Sequence, residues 1–262
     1  MRALHTAATG MMAQELNVQV ISNNIANMRT TGYKRQRAEF QDLLYEHVSR
    51  VGTQTSEQGN QLPAGIELGS GVKTVGTPRI MTQGTLLQTG KDYDVAIRGE
   101  GFFKVLLPDG RTAYTRDGSF ELDSQGRLVT AQGNVVQPGI TIPQGSTGVT
   151  INAQGQVSAT PVGTTTPTTL GQIQLSQFIN KAGLQGIGDN LYLETPASGA
   201  PTDGTPNTDG FGNLQQGNLE QANVEAVSEI SDLIAAQRAY EMNAKVIGAA
   251  DQMLQATSNL MR

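Results

Sequence analysis

Few side chains in this sequence have the types and spacing that chemistry requires. The two histidines, His5 and His47, could serve as general bases or metal ligands. Both fall in or beside a helical pattern near the N-terminus, far in sequence from most of the carboxylates that would orient an imidazole. "GEGFF", residues 99–103, carries two glycines of a dinucleotide-binding loop. The third glycine is missing and no helical pattern follows, so a strand pair with a bulge fits better. Asp203, Asn207 and Asp209 are oxygen donors close in sequence, but their spacing is not that of an EF-hand loop. Asp109, Asp117 and Asp123 could supply an acid–base pair, but each sits at a turn signal, where a short carboxylate bonds its own backbone. Cysteine is absent, which excludes disulfides and thiolate metal sites. The expectation is a protein with no catalytic residue, no metal site and no cofactor, hence not an enzyme.

Composition narrows the classes further. A chain of 262 residues can bury the core of one large domain or two modest ones. With 37% hydrophobic residues and 31 glycines, turns and extended structure are favoured over dense packing. A net charge of −5 argues against nucleic acid, whose phosphates call for a basic face. No apolar run approaches the ~18 residues of a membrane span. In "MRALHTAATGMMAQEL", His5, Gln14 and Glu15 interrupt the apolar stretch that a cleaved secretory signal needs, so a helix is expected there instead.

That helix carries two apolar lines. Leu4, Ala7, Met11, Val18, Ile21, Ile25 and Met28 share one stripe at 100° per residue. Met12, Leu16 and Val20 form a second on nearly the opposite side, and Thr30-Thr31-Gly32 supplies the stop, with Gly32 suited to a left-handed residue. The far end of the chain behaves alike. From 219 to 262 there is no proline, and Leu233, Tyr240, Ile247, Leu254 and Met261 recur every seventh residue. Met242, Val246, Ala249, Met253 and Leu260 trace a neighbouring line, and Glu241 with Lys245 forms a favourable i, i+4 pair. Pairing the two helices consumes one line on each and leaves the other in search of a partner.

Between the helices the period falls from 3.6 to 2. Residues 94–136 hold short β-rich runs separated by Pro-Asp-Gly, Asp-Gly and Gln-Gly turn signals, which reads as antiparallel hairpins. Residues 161–171 and 197–217 are loop-like in composition, and 46–65 are polar and weakly periodic, an extended or irregular segment. The fold class expected is α+β: paired N- and C-terminal α-helices, a discontinuous and coiled-coil-like domain, with an antiparallel β-rich middle domain. By residue, 1–30 and 219–262 form the helical domain, 31–73 an extended linker, and 74–218 the β domain.

With chemistry set aside, self-association remains. Ser22, Asn23, Asn24 and Asn27 are poor helix formers and unfavourable to bury, yet they stand in the first helix. Amides placed among helices from several subunits would fix register at some cost in stability. Open head-to-tail contacts between such subunits generate a filament or tube.

These stretches resemble a known family. "ALHTAATGMMAQELNVQVISNNIANMRTTGYKR" is similar to the N-terminal motif of the bacterial flagellar rod and hook proteins. Residues 94–133 resemble that family's β-domain core, and "EISDLIAAQRAYEMNAKVIGAADQML" its C-terminal motif. The length and the polar insertion at 46–65 resemble the distal-rod branch, with the proximal rod as nearest alternative. The resemblance implies a helical homopolymer, a straight hollow tube carrying torque from motor to hook and spanning the periplasm to the outer membrane. It implies proximal rod proteins below, hook protein above, and peptidoglycan- and outer-membrane-ring proteins around it. Delivery would be by the flagellar type III export apparatus without a cleaved signal peptide. No nucleic acid, no membrane insertion and no cofactor are implied. A rigidity role is expected for the insertion through Thr53, Gln54, Thr55, Ser56, Glu57, Gln58, Gly59, Asn60, Gln61 and Leu62. Two rival classes are a secreted carbohydrate-binding β module, which leaves both two-faced helices unexplained, and a cell-wall hydrolase, which lacks a placed carboxylate pair.

Overall fold

The computed structural model describes residues 2–49, 64–146, 148–163, 166–208 and 210–260. The chain divides into two compact units: a helical unit of residues 1–25, 36–78 and 225–262, and a β unit of residues 26–35 and 79–224. The division is not the one expected at 30, 73 and 218. The segment after the first helix belongs to the β unit, and most of the linker belongs to the helical unit.

In the helical unit, α1 (Arg2–Ala26) and α2 (Ala226–Leu260) are joined by a long antiparallel ladder. Strand Glu39–Asp42 pairs with Val72–Gly76, and Tyr45–Ser49 pairs with Ile66–Gly69. This regular pairing was not legible in residues 46–49, because their backbone bonds come from partners some twenty residues away. The rigidity residues from Thr53 to Leu62 lie outside the described residues. Leu44, Tyr45, Val48, Ile66, Leu68 and Val75 are exposed on this ladder. An isolated two-stranded ribbon is marginal in water.

Both helix boundaries differ from expectation. α1 stops at Ala26, and residues 27–32 form turns. Gly32 does have φ +68°, but it serves a close approach: a Cβ there would lie 2.7 Å from the Asp117 backbone nitrogen. Residues 219 and 220, expected in the C-terminal helix, instead lie in a strand, Asn218–Glu220, paired with Leu86–Gln88.

Among the described residues every ladder of the β unit is antiparallel, as the turn spacing implied. Among the described residues a nine-stranded sheet is flanked by a three-stranded sheet built from Val149–Ile151, Gln156–Ala159 and Thr168–Gln172. Alternation along one strand divides its core. Phe103 turns into the main cluster with Phe120, Leu128, Val157 and Leu175, and Phe102 turns into an aromatic cluster with Tyr114, Phe178 and Tyr192. The Tyr114 and Phe178 rings meet edge to face at 4.8 Å, and burial pushes the Tyr114 phenol up to about 12.

Candidate functional site

The residues first suspected of chemistry are absorbed by structure. The Asp109 carboxylate accepts from the Arg111 backbone at 3.0 Å, Asp117 from Ser119 at 3.0 Å, and Asp123 from Gln125 at 2.8 Å. These are local turn bonds of the expected kind, and the bonds from Arg111 and Arg127 hold Asp109 and Asp123 below the ordinary carboxylate range. His5 Nδ1 lies 3.3 Å from the Ser70 carbonyl, and His47 pairs with Glu67 at 3.1 Å. Asp203 accepts from Lys104 at 2.7 Å and from Ser176 at 2.6 Å. Burial raises its pKa, but these bonds outweigh it and the net shift is downward. No group of three such acids, histidines or cysteines converges on a metal-sized site among the described residues. "GEGFF" is not a bulge in a strand pair, because the strands on either side, Val95–Arg98 and Phe102–Leu106, pair with other strands and not with each other. The carbonyls of Gly99 and Gly101 accept from the Arg116 guanidinium at 2.9 and 2.7 Å.

What remains is the helix pair. Asn24 Nδ2 donates to Glu229 Oε2 at 3.1 Å, and a Cβ on Gly10 would stand 2.9 Å from Asn243 Nδ2. Asn24 and Gly10 are fourteen residues apart, as are Asn243 and Glu229, so the contacts share one antiparallel register two heptads long. On α2 the most buried row is Glu229, Ala236 and Ala250, with Asn243 half-buried between them. It also recurs every seventh residue. The apolar row chosen from sequence is less covered: Leu233 and Ile247 are half-buried, while Tyr240 and Leu254 are exposed. The missed signal was the heptad recurrence of Glu229, Ala236, Asn243 and Ala250, polar and small side chains rather than an apolar line. Glu241 pairs with Arg238 at 3.0 Å, rather than with Lys245.

On α1, Val20 and Ile21 are buried, while Leu4, Met11, Leu16, Val18 and Ile25 are half-buried, as is Met28 in the turns beyond it. Met12 is 69% exposed. On α2, Met242, Val246 and Met253 are exposed, as are Val227, Ile230 and Ile234 nearer its start. The Leu260 side chain lies outside the described set. The asparagines separate into different roles. Asn23 is exposed, and Asn27 accepts from the Thr30 hydroxyl at 3.2 Å. Asn24 is 1% exposed and grips the linker: its amide donates to the Gln36 carbonyl at 2.9 Å and accepts from the Gln36 N–H at 2.9 Å. The Asn24 amide is thus used within the chain, at the Gln36 backbone and at Glu229.

The roots of both helices are held in the β unit. Lys34 donates to Glu220 Oε1 at 2.6 Å and to the Thr82 carbonyl at 2.8 Å. Arg116 Nε stands 3.0 Å from Glu220 Oε2, off the hydrogen-bond axis, so that contact is a charge attraction. Burial lowers the Lys34 pKa against the pull of Glu220, and Arg116 adds to the lowering. Around these charges, Gly32 N–H donates to the Glu220 carbonyl at 2.8 Å and Arg35 N–H to Asn223 Oδ1 at 2.8 Å. Asn223 in turn donates to the Ile80 carbonyl at 2.8 Å.

The family model for the flagella basal body rod protein matches residues 4–34, that for the flagellar hook protein FlgE/F/G D1 domain residues 96–159, and that for the flagellar basal body rod FlgEFG protein C-terminal residues 215–260. The flagellar basal-body rod protein FlgG of Caulobacter vibrioides is 58% identical over 99% of both chains. The proteins of that name in Buchnera aphidicola and Agrobacterium fabrum are 49% identical over 98% of this chain and 99% of the relative, and 48% identical over 100% of each. The three matched regions cover both helices, the stems and the β core, in the same order, and the relatives match end to end: the chain belongs to the flagellar basal-body rod family, whose members are structural subunits of the rod.

Proposed function

We propose that the chain polymerises into the distal rod, a straight hollow shaft that transmits torque from motor to hook and conducts exported subunits. The observation that carries this reading is the incomplete helical unit. One line of α2 is consumed against α1, while Met242, Val246 and Met253 lie exposed among the described residues. Contiguous apolar surface of this kind marks an interface. Where the patch meets a different surface of the next subunit, the contact is heterologous and repeats head to tail without closing. The helix pairs pack as coiled coils at the tube's inner wall, with Asn23 and Asn27 contributing to register. Proximal rod proteins lie below, hook protein above and the ring proteins around the shaft, which spans periplasm to outer membrane. Subunits arrive through the flagellar type III export apparatus, without a cleaved signal. Among the described residues no helix is long and apolar enough to cross a membrane. The segment from Thr53 to Leu62 stiffens the tube by bridging axial neighbours, because a shaft bends only where such neighbours slide.

Electron microscopy of the concentrated protein tests this, alongside a variant lacking residues 53–62. The parent forms straight tubes and the deletion forms curved or flexible ones. A parent that stays monomeric at high concentration defeats the polymer reading. Equally straight tubes from the deletion defeat only the rigidity role.

A further inference from the structure

A polymer of identical helix pairs has a hazard built into it. The surface of α2 that fits its own α1 fits every neighbour's α1 equally well, so swapped pairing competes with pairing inside the chain. In sequence the two helices are remote: Ala26 ends one and Ala226 begins the other, and closing so long a loop is entropically costly. At the concentrations reached in a growing tube, swapping would link subunits in topologies that cannot stack regularly.

The geometry points to the Lys34–Glu220–Arg116 cluster as a stem clamp that prevents this, with Lys34 and Glu220 as positioning residues. Three segments far apart in sequence meet there: 32–35 after α1, 80–84 returning from the linker, and 220–223 before α2. Each supplies part of what the others lack. Glu220 receives Lys34 from the first and the Gly84 N–H, at 2.9 Å, from the second. Asn223 holds Arg35 and Ile80 together through one amide. Approach is close enough that a Cβ on Gly84 would fall 1.9 Å from the Gln221 carbonyl.

The chemistry is selective as well as cohesive. The Lys34 and Glu220 side chains are 1% and 0% exposed, and Arg116 is 4% exposed, so two cations and one anion lie out of water. An apolar trio of similar volume would be at least as stable, but would accept any apolar neighbour. Charges so placed are satisfied only when all three segments are in register. With both stems seated, the first seam contact, Asn24 with Glu229, lies ten residues from Lys34 on one side and nine from Glu220 on the other. Pairing within the chain then proceeds at the high effective concentration of a short tether, which neighbours cannot match. This inference rests on the polymer reading for its purpose but not for its test.

The chain has no cysteine, so a disulfide can report which copies pair. Gly10→Cys and Asn243→Cys are placed together, at the seam contact, in the full chain. The protein is oxidised at high concentration and run on a non-reducing gel, whether or not tubes form. With the clamp intact, the crosslink closes within one chain and the product migrates as a monomer. Adding Lys34→Met, which leaves Glu220 paired with Arg116, raises the share of interchain dimers and ladders by roughly tenfold. An unchanged share overturns the clamp. Near-ultraviolet circular dichroism, dominated by Tyr114, Tyr192 and their neighbours, confirms that the β unit stays folded. If Lys34→Met melts it, Asn223→Ala cuts the stem bridge without touching a charge and carries the same expectation. A β unit that melts in both variants also overturns the clamp, since the cluster would then support the core rather than the stems.

Discussion

The β unit and the helical unit finish folding to different degrees within one chain. In the β unit, Phe103, Val105, Val157 and Leu175 are wholly buried, and turn carboxylates meet their own backbone. In the helical unit the most buried side chains are small or polar, Ala7, Ala13, Asn24, Glu229 and Ala236; Val20 and Ile21 are buried beside them, but Met12, Met242, Val246 and Met253 face outward. Small residues at the seam bury little area, and burial is what stabilises. The β unit is thus self-sufficient, whereas the helical unit awaits surface from elsewhere.

The sharpest way to break the contrast is one substitution on each side. Phe103→Ala empties a site closed by Phe120, whose ring lies 5.0 Å away edge to face, and should destabilise the β unit by about 3–5 kcal/mol. Met253→Ser, at a side chain 64% exposed, should change the stability of the isolated chain by only about 0.5 kcal/mol. It should nevertheless suppress tube formation. Denaturant titration and electron microscopy of both variants decide the matter, and a large stability loss for Met253→Ser would show that the helical unit is complete after all.

Limited trypsin digestion gives the next largest effect. Arg238 and Lys245 lie on exposed stretches of α2, where local opening is easy in a dilute subunit that lacks neighbours. Lys34 and Arg116 are locked in the clamp and open only with the β unit. Mass spectrometry should find cuts after Arg238 and Lys245 finished before any after Lys34 or Arg116. Early cleavage at Lys34 would mean the stem is loose.

The expected ends of that digest show what the sequence disclosed. Turn chemistry is local, so Asp109, Asp117 and Asp123 were legible with their roles. Strand alternation is local too, and it marked 94–136 as hairpins. The two-faced helices were legible from periodicity, as was their pairing. The stems were not. Nothing near Lys34 announces that its partner is Glu220, because a buried ion pair is written in two places 186 residues apart. A core starting at residue 74 was the natural reading, yet the β unit takes in 26–35 and yields the linker through residue 78. The role of Asn24 was obscured for the same reason, since its partners Gln36 and Glu229 lie beyond its own helix.

Asn24 therefore offers a finer test than the terminal stripes. Asn24→Leu removes the amide that serves the Gln36 backbone at both its N–H and its carbonyl, and should cost about 1–3 kcal/mol. Ser22→Leu, at an exposed position of the same helix, should leave the subunit's stability within about 0.5 kcal/mol. Thermal melts of the two variants separate the buried amide from the exposed face. Equal losses would erase the distinction.

The smallest expected effect lies in the pH dependence of the clamp. Burial holds the folded-state pKa of Lys34 below its ordinary value of 10.5, with Glu220 opposing the shift and Arg116 adding to it. Between the folded value and 10.5, the unfolded chain binds more protons at this site than the native chain. Stability from this group therefore rises with pH across that window, is complete above 10.5, and is lost as pH falls through the folded value. Other lysines and tyrosines titrate nearby, so the contribution must be read as a difference. Lys34→Met has no proton to lose. Subtracting its urea midpoints from those of the parent, from neutral pH to above 10.5, should leave a curve that climbs with pH. A flat difference would mean that Lys34 keeps an ordinary pKa and that the clamp is wetter than its packing, and a falling one would mean that Glu220 outweighs burial.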